Sequence, residues 1–183
     1  MFVNRVLPDL NEVLCNMIFQ MFGEYFKDDS ISPKEVNFPP CKDYLILVQV
    51  NGNGLEGEIL FTIDMPTAEK LLENVGIEVT NTEKRELMHS ALGELANVVA
   101  GQLMVYPSFT KVFGQVSVHP PIVWDAYSRE TCIPLRKGIS GSVLHGQNSI
   151  QTFISCTEAN TIDITMKDFT EQESKESHFS IKG

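Results

Sequence analysis

The chain has 183 residues, 43% of them hydrophobic and 21% charged, a length and balance at which one core buries enough surface that neither disulfides nor a structural metal is needed as a staple. Its 14 Lys and Arg stand against 24 Asp and Glu, a formal charge of −10, which repels phosphate backbones and anionic lipid and argues against nucleic-acid and membrane-surface partners. Cys15, Cys41, Cys132 and Cys156 lie far apart, with no CxxC pair and no Cys/His cluster, so structural zinc has no support and buried, reduced thiols are expected.

The opening stretch MFVNRVLPDLNEVL has no apolar run behind a basic leader, and no segment reaches the ~18 apolar residues of a membrane span. A cytoplasmic protein is expected. Leu10, Val13, Leu14, Met17, Ile18, Met21 and Phe22 recur at helical steps, predicting an amphipathic helix over residues 8–27 with Pro8 near its first turn. Residues 28–40, rich in Asp, Ser and Pro, read as a connector. Residues 43–50 and 58–64 are apolar, β-branched runs on either side of NGNGLEG, which predicts a hairpin, because Asn-Gly tolerates the positive φ of a tight turn. Pro66 and Thr67 open a short helix through Leu71 and Leu72 that ends near Gly76. Asn81 and Thr82 are cap candidates for a longer helix, with Glu83 and Glu86 in its first turn, running to about Tyr106 and stopping before Pro107.

Beyond it, residues 112–118, 150–156 and 161–166 read as strands, and Gly138, Gly141 and Gly146 mark a long loop between the first two. The order of elements implies an α+β domain with an antiparallel-rich sheet packed with helices, a single unit over residues 1–166 followed by a polar tail over residues 167–183.

Several generic signals for a site fail on their surroundings. Gly138-Ile-Ser-Gly-Ser has the composition of a phosphate loop, but no GK[ST] follows it. His119, Asp125 and Ser128 crowd around Pro120, Pro121 and Trp124 without a nucleophile-elbow pattern, so they read as polar groups of a surface loop rather than a triad. His89 and His145 have no companions at metal-ligand spacing and read as solvated.

The helix over residues 82–104 is more informative. At about 100° per residue, Leu87, Met88, Ala91, Leu92, Leu95, Val98, Val99 and Leu103 fill one half of its surface, the expected core face. Opposite lies a connected stripe of Ser90, Gly93, Glu94, Asn97, Ala100 and Gly101, with Glu94 and Asn97 neighbours at i, i+3. Each interior helical glycine costs ~1 kcal/mol relative to alanine, and this helix places two beside its two conspicuous polar side chains. Either the stripe packs closely against another element of the domain, or it is a bare shelf on which a partner's backbone comes close to Glu94 and Asn97.

Ser90-x3-Glu94-x2-Asn97-x22-Pro120, set in SALGELANVVAGQL…VHPP, resembles the motif of the chemotaxis phosphatases of the CheX, CheC and FliY type, which remove the phosphoryl group from the response regulator CheY. A bare ExxN arises by chance about once in every few chains of this length, and Glu78-x-x-Asn81 is a second instance here; the serine and the spaced proline lower that expectation roughly a hundredfold. Glu78 and Asn81 have no such proline, precede the helix, and read as structural. The order of helix, GEILFTID strand, PTAEKLLENVG helix and ExxN helix extends the resemblance over about residues 8–166.

CheC-type members carry two ExxN helices and this chain has one convincing copy, so CheX is the nearer relation. The resemblance implies a CheC/CheX-like fold and a phosphatase that hydrolyses the aspartyl phosphate of a CheY-type response regulator. Glu94 and Asn97 are then the catalytic pair, Ser90, Gly93, Ala100 and Gly101 support them, and Pro120 shapes the segment beside their helix. No metal or cofactor of the chain's own is implied, since Mg²⁺ comes with the phosphorylated regulator. A homodimer is an expectation of the same kind, and a noncatalytic adaptor on the same fold is the alternative function. The polar tail and the long loop over residues 125–147 depart from the family pattern without touching the motif.

Overall fold

The computed structural model describes residues 3–22, 27–28, 34–36, 42–74, 76–77, 84–125 and 137–158. In chain order these form α1 (Val3–Phe22), β1 (Lys27–Asp28), β2 (Lys34–Val36), β3 (Tyr44–Gly52), β4 (Leu55–Ile63), α2 (Met65–Asn74), α3 (Lys84–Leu103), α4 (Pro107–Phe113), β5 (Ser117–Val118), β6 (Ile122–Asp125), β7 (Gly138–His145) and β8 (Asn148–Glu158). All the pairings are antiparallel, in the order β1-β7-β8-β4-β3-β5, with β2 also on β7 and β6 also on β3. The expected α+β architecture is therefore present.

The β3–β4 hairpin turns at Asn53 and Gly54, with φ of 50° and 69°, the paired left-handed residues that the Asn-Gly dipeptide supplies. Period-2 alternation then sends Ile46, Val48, Val50, Ile59, Phe61 and Ile63 to the main core beneath the helices, and Leu45, Leu47 and Leu60 to the opposite face with Phe153 and Trp124. α1 seats Leu7, Leu10, Leu14, Met17 and Ile18 in the main core. It begins at Val3, so Pro8 lies inside it rather than near its first turn. Thr152 of β8 donates its hydroxyl to Asn11 Oδ1 at 2.8 Å, which leaves the Cys15 thiol to donate to Thr152 Oγ1 at 3.1 Å, a buried polar tie between α1 and the sheet. Cys15 and Cys156 are buried; Cys41 and Cys132 lie outside the described residues.

α2 is capped by Asp64, whose carboxylate accepts the Thr67 N–H at 2.9 Å, and it closes with the Gly76 N–H on the Glu73 carbonyl and the Ile77 N–H on the Leu72 carbonyl, a paired C-terminal cap at the expected glycine. Burial raises the Asp64 pKa, but bonds from Thr67 and the ammonium of Lys42 outweigh it and hold the carboxyl below its usual value.

Three expectations are corrected. Residues 112–118 are not one strand: Pro107 occupies the first turn of α4, where a missing N–H costs nothing, and Phe109, Val112 and Phe113 bury along one face, the two phenyl rings stacked 4.6 Å apart. Only Ser117 and Val118 are extended. The glycines of 138–145 mark a strand rather than a loop. At Gly138 a Cβ would stand 2.4 Å from the Ile154 carbonyl oxygen and 2.5 Å from the Phe153 ring, so glycine there admits close backbone approach to β8 rather than a turn. α3 ends at Leu103, short of Tyr106. The predicted caps Asn81 and Thr82, the pair Glu78 and Asn81, the strand over 161–166 and the tail over 167–183 fall outside the described residues.

Candidate functional site

α3 buries Met88, Leu92, Ala96, Val99, Ala100 and Leu103. The core-facing arc is thus turned relative to the apolar count of the sequence. Val98, expected in the core, is 43% exposed, and Ala100, expected on the polar stripe, is 2% exposed. The helix packs two small residues, Ala96 and Ala100, inward, and that lets its axis sit close to the sheet. What remains of the stripe faces outward: Ser90, Glu94 and Asn97 are exposed, and Gly93 and Gly101 are half-buried.

The two helical glycines differ. A Cβ on Gly93 would lie 3.7 Å from Cγ2 of Val123 in β6, an ordinary contact, whereas a Cβ on Gly101 would meet nothing within 4 Å. Close packing inside the domain accounts for Ala100 and does not account for Gly101. On the wheel, Glu94 and Gly101 stand opposite the buried arc, and Asn97 lies between Gly101 and Gly93, on the side toward β6.

β6 fixes that side. Asp125 at its end is 6% exposed and accepts hydrogen bonds from Arg85 Nε and His89 Nε2, both on the opening turns of α3. Moving back along β6 from Asp125 to Val123 therefore runs along α3 from His89 to Gly93. That direction carries Pro121 and Pro120, in the connection from β5, toward the turn that bears Asn97. Tyr44 of β3 sets the floor under this clamp, its ring edge-on to His89 at 6.0 Å; burial, with the nearby charge of Asp125, raises its phenol pKa.

Of the residues considered as a triad, the two that are described are engaged separately. His119 pairs its Nε2 with Asn51 Nδ2 at 3.0 Å and its backbone N–H with the Gln49 carbonyl, Asp125 is bound as described, and Ser128 lies outside the described residues. The expectation that Asp125 is a loop polar group and that His89 is merely solvated is corrected: both belong to the strand–helix clamp. The signal was available in Arg85 and His89, which share one helix face at i, i+4, but an isolated Asp gives no hint of which residues it will meet. His145 is exposed at the end of β7. Among the described residues no group of three or more His, Cys, Asp or Glu is placed to hold a metal ion, and no helix is long and apolar enough to cross a membrane.

Fold and site together define an α+β domain whose polar pair stands on the crest of a helix rather than in a cleft. The family model described as Chemotaxis phosphatase CheX matches residues 44–137, just over half of the chain, and the chain belongs to that family. Among solved structures, a crystal structure of the chemotaxis protein CheX from Vibrio vulnificus is similar at a TM-score of 0.63 and 17% identity, over 84% of this chain and 99% of that one. A chemotactic CheC-like protein from Shewanella oneidensis is similar at 0.64 and 14%, over 84% and 99%. The CheX–CheY–BeF3–Mg complex from Borrelia burgdorferi is similar at 0.60 and 17%, over 83% and 98%. At these identities the likeness is one of fold. No curated protein matches the chain.

Proposed function

We propose that the protein is a phosphatase that hydrolyses the aspartyl phosphate of a CheY-type response regulator, with Glu94 and Asn97 as its catalytic pair. The observation that carries this reading is the exposure of both side chains at i, i+3 on the crest of α3, beside a glycine with open space above it, in a chain of the chemotaxis phosphatase family. A CheX from Borrelia burgdorferi crystallised with CheY, BeF3 and Mg supports a partner of that kind.

An aspartyl phosphate is an acyl phosphate with a good leaving group, and the regulator brings its own Mg²⁺ to it. What remains is to place a water in line with the breaking P–O bond. The Asn97 amide can hold water and phosphoryl group together, because its carbonyl oxygen accepts a hydrogen bond from the water while its NH₂ donates toward a phosphoryl oxygen. Water attacks phosphorus, the bond to the aspartyl oxygen breaks, and carboxylate and inorganic phosphate leave. Positioning of this sort contributes several kcal/mol without a nucleophile or metal from the phosphatase. Glu94, one helical step away, pairs with a lysine of the regulator's site, fixing the two proteins in register as the phosphoryl group departs. Ser90 and Gly93 keep the near side of the ridge low, Gly101 the far side, and Pro120 borders the Asn97 turn. Ala100, buried, acts through packing alone.

The test is loss of the phosphoryl group from a panel of purified response regulators with Mg²⁺, with and without this protein. Acceleration for at least one regulator is expected. Binding to a regulator without acceleration would make the protein a noncatalytic adaptor.

A further inference from the structure

β5 and β6 run along the same edge of β3 with one extra residue between them. Ser117 and Val118 pair with Asn51 and Val50, and Ile122 to Asp125 pair with Leu47 to Tyr44, so His119, Pro120 and Pro121 stand opposite only Val48 and Gln49. That is a β-bulge. The His119 N–H still reaches the Gln49 carbonyl at 2.9 Å, and the next two residues are prolines, which bring no N–H to a ladder that the bulge interrupts.

The extra residue reverses which side chains face α3. Val118 before it and Val123 after it both pack on the main core, an odd spacing that an unbroken strand of period 2 does not give. Without the bulge, Trp124 would turn toward the helices and Asp125 away from them; with it, Asp125 meets Arg85 and His89. Both prolines then fall on the α3 face, Pro120 two residues after Val118 and Pro121 two before Val123. Strand and helix also keep step. Asp125 bonds His89 at 3.1 Å, and Cγ2 of Val123 lies 3.7 Å from where a Cβ on Gly93 would be. Two strand residues advance about 6.6 Å and four helical residues about 6 Å, so the next pair in the series is Pro121 with Asn97.

We infer that Pro121 is a positioning residue for the phosphatase reaction: its half-buried ring backs the Asn97 side chain and limits the directions in which the amide can hold a water, and the Asp125 clamp keeps the ring at that level. The inference rests on the phosphatase reading. Protection of a sheet edge would account for a bulge of any register. It does not account for one whose single-residue shift brings Asp125 to His89 and Pro121 level with Asn97. An amide on an open helix face visits several rotamers, and each one that points away from the acyl phosphate lowers the fraction of encounters ready to react. A pyrrolidine ring suits the wall, since it is stiff and its backbone has no N–H to compete for the water.

The experiment uses the full chain and the regulator that it dephosphorylates best, at a temperature well below the melting transition of every variant. Pro121→Ala removes the ring. His89→Leu removes one donor of the clamp, and His89→Gln returns an N–H near the place of Nε2. Affinity is measured with the regulator held in its activated form by beryllofluoride, a stable stand-in for the phosphoryl group. Pro121→Ala and His89→Leu are each expected to lower kcat by roughly five- to fiftyfold, with KM and Kd within threefold, and His89→Gln to recover most of the lost rate. Asp64→Ala, a lost helix cap in α2, controls for a general loss of stability and should keep its kcat.

If the wild-type protein dephosphorylates no regulator, the phosphatase reading fails and the role of Pro121 with it. If the wild-type protein is active and Pro121→Ala keeps its kcat, the role of Pro121 alone is overturned. A kcat that falls as far in Asp64→Ala, or that His89→Gln leaves as low as His89→Leu does, would make the effect one of stability, which also overturns it.

Discussion

Replacing Gly101 by Leu separates an open ridge from a packed one. Leucine in a helix interior is favoured over glycine by several tenths of a kcal/mol, up to about 0.8 kcal/mol, and nothing within 4 Å opposes its Cβ. For a chain of this size, that shifts the melting temperature upward by about 1–3 °C. The same side chain rises beside Asn97, one helical turn away, and holds a partner's surface off the amide; a displacement of only 1 Å at a reacting centre costs about 10²-fold in rate. The control is Ala100→Leu. Ala100 adjoins Gly101 in sequence but is 2% exposed, so a larger side chain there overfills the core and costs about 1–3 kcal/mol. Thermal melts and phosphoryl-loss assays on the two variants should therefore part company: Gly101→Leu stable and inactive, Ala100→Leu unstable. A Gly101→Leu protein destabilised by several kcal/mol would mean that the ridge is covered within the domain. One that is stable and fully active would mean that no partner approaches across it.

Asp125→Ala removes the buried acceptor of Arg85 and His89. Because both partners are partly exposed and regain water, the loss should be about 1–3 kcal/mol in denaturant melts rather than global unfolding, and a change under about 0.5 kcal/mol would show that β6 does not need the clamp. Asp64→Ala removes the N-cap of α2 and the carboxylate partner of Lys42, which keeps its bonds to Ser149, with an expected cost of about 1 kcal/mol at neutral pH. The Asp64 carboxyl is held below its usual value in the folded chain, so its stabilisation is full above the unfolded pKa of about 4 and is lost as pH falls through the folded one. The stability gap between wild type and Asp64→Asn should accordingly narrow on acidification below about pH 4; a gap that widens there would reverse the sign of the effect.

The hairpin, α2 with its glycine cap, and the existence of α3 were legible because each is a local pattern: Asn-Gly between β-branched runs, and apolar residues at helical steps. The edges of the reading failed where a tertiary contact decides. Phe109, Val112 and Phe113 have helical spacing, but Val112, Val116 and Val118, read together as one extended segment, masked it, and only the burial of Phe109, Val112 and Phe113 selects a helix. Gly138 looked like a loop signal because its reason, the Phe153 ring and the Ile154 carbonyl, belongs to a strand still to come in the chain. At the candidate site, Glu94 and Asn97 were placed outward correctly from periodicity. The assignment of Ala100 and Val98 was not correct, because hydrophobicity ranks valine above alanine for burial, whereas a helix lying close to a sheet needs its smallest residues at the contact. Asp125 could not be joined to Arg85 and His89 from sequence, since nothing local pairs a strand end with a helix start far upstream.

The central claim is that Asn97 acts in the transition state of a hydrolysis carried out on a partner protein. It is tested most directly by measuring, for wild type and Asn97→Ala, both the rate of phosphoryl loss from the best regulator of the panel and the affinity for that regulator with beryllofluoride bound. The account predicts a rate reduced to the regulator's own while affinity stays within a few fold and the melting temperature is unchanged. A variant that binds and dephosphorylates like the wild type would contradict it.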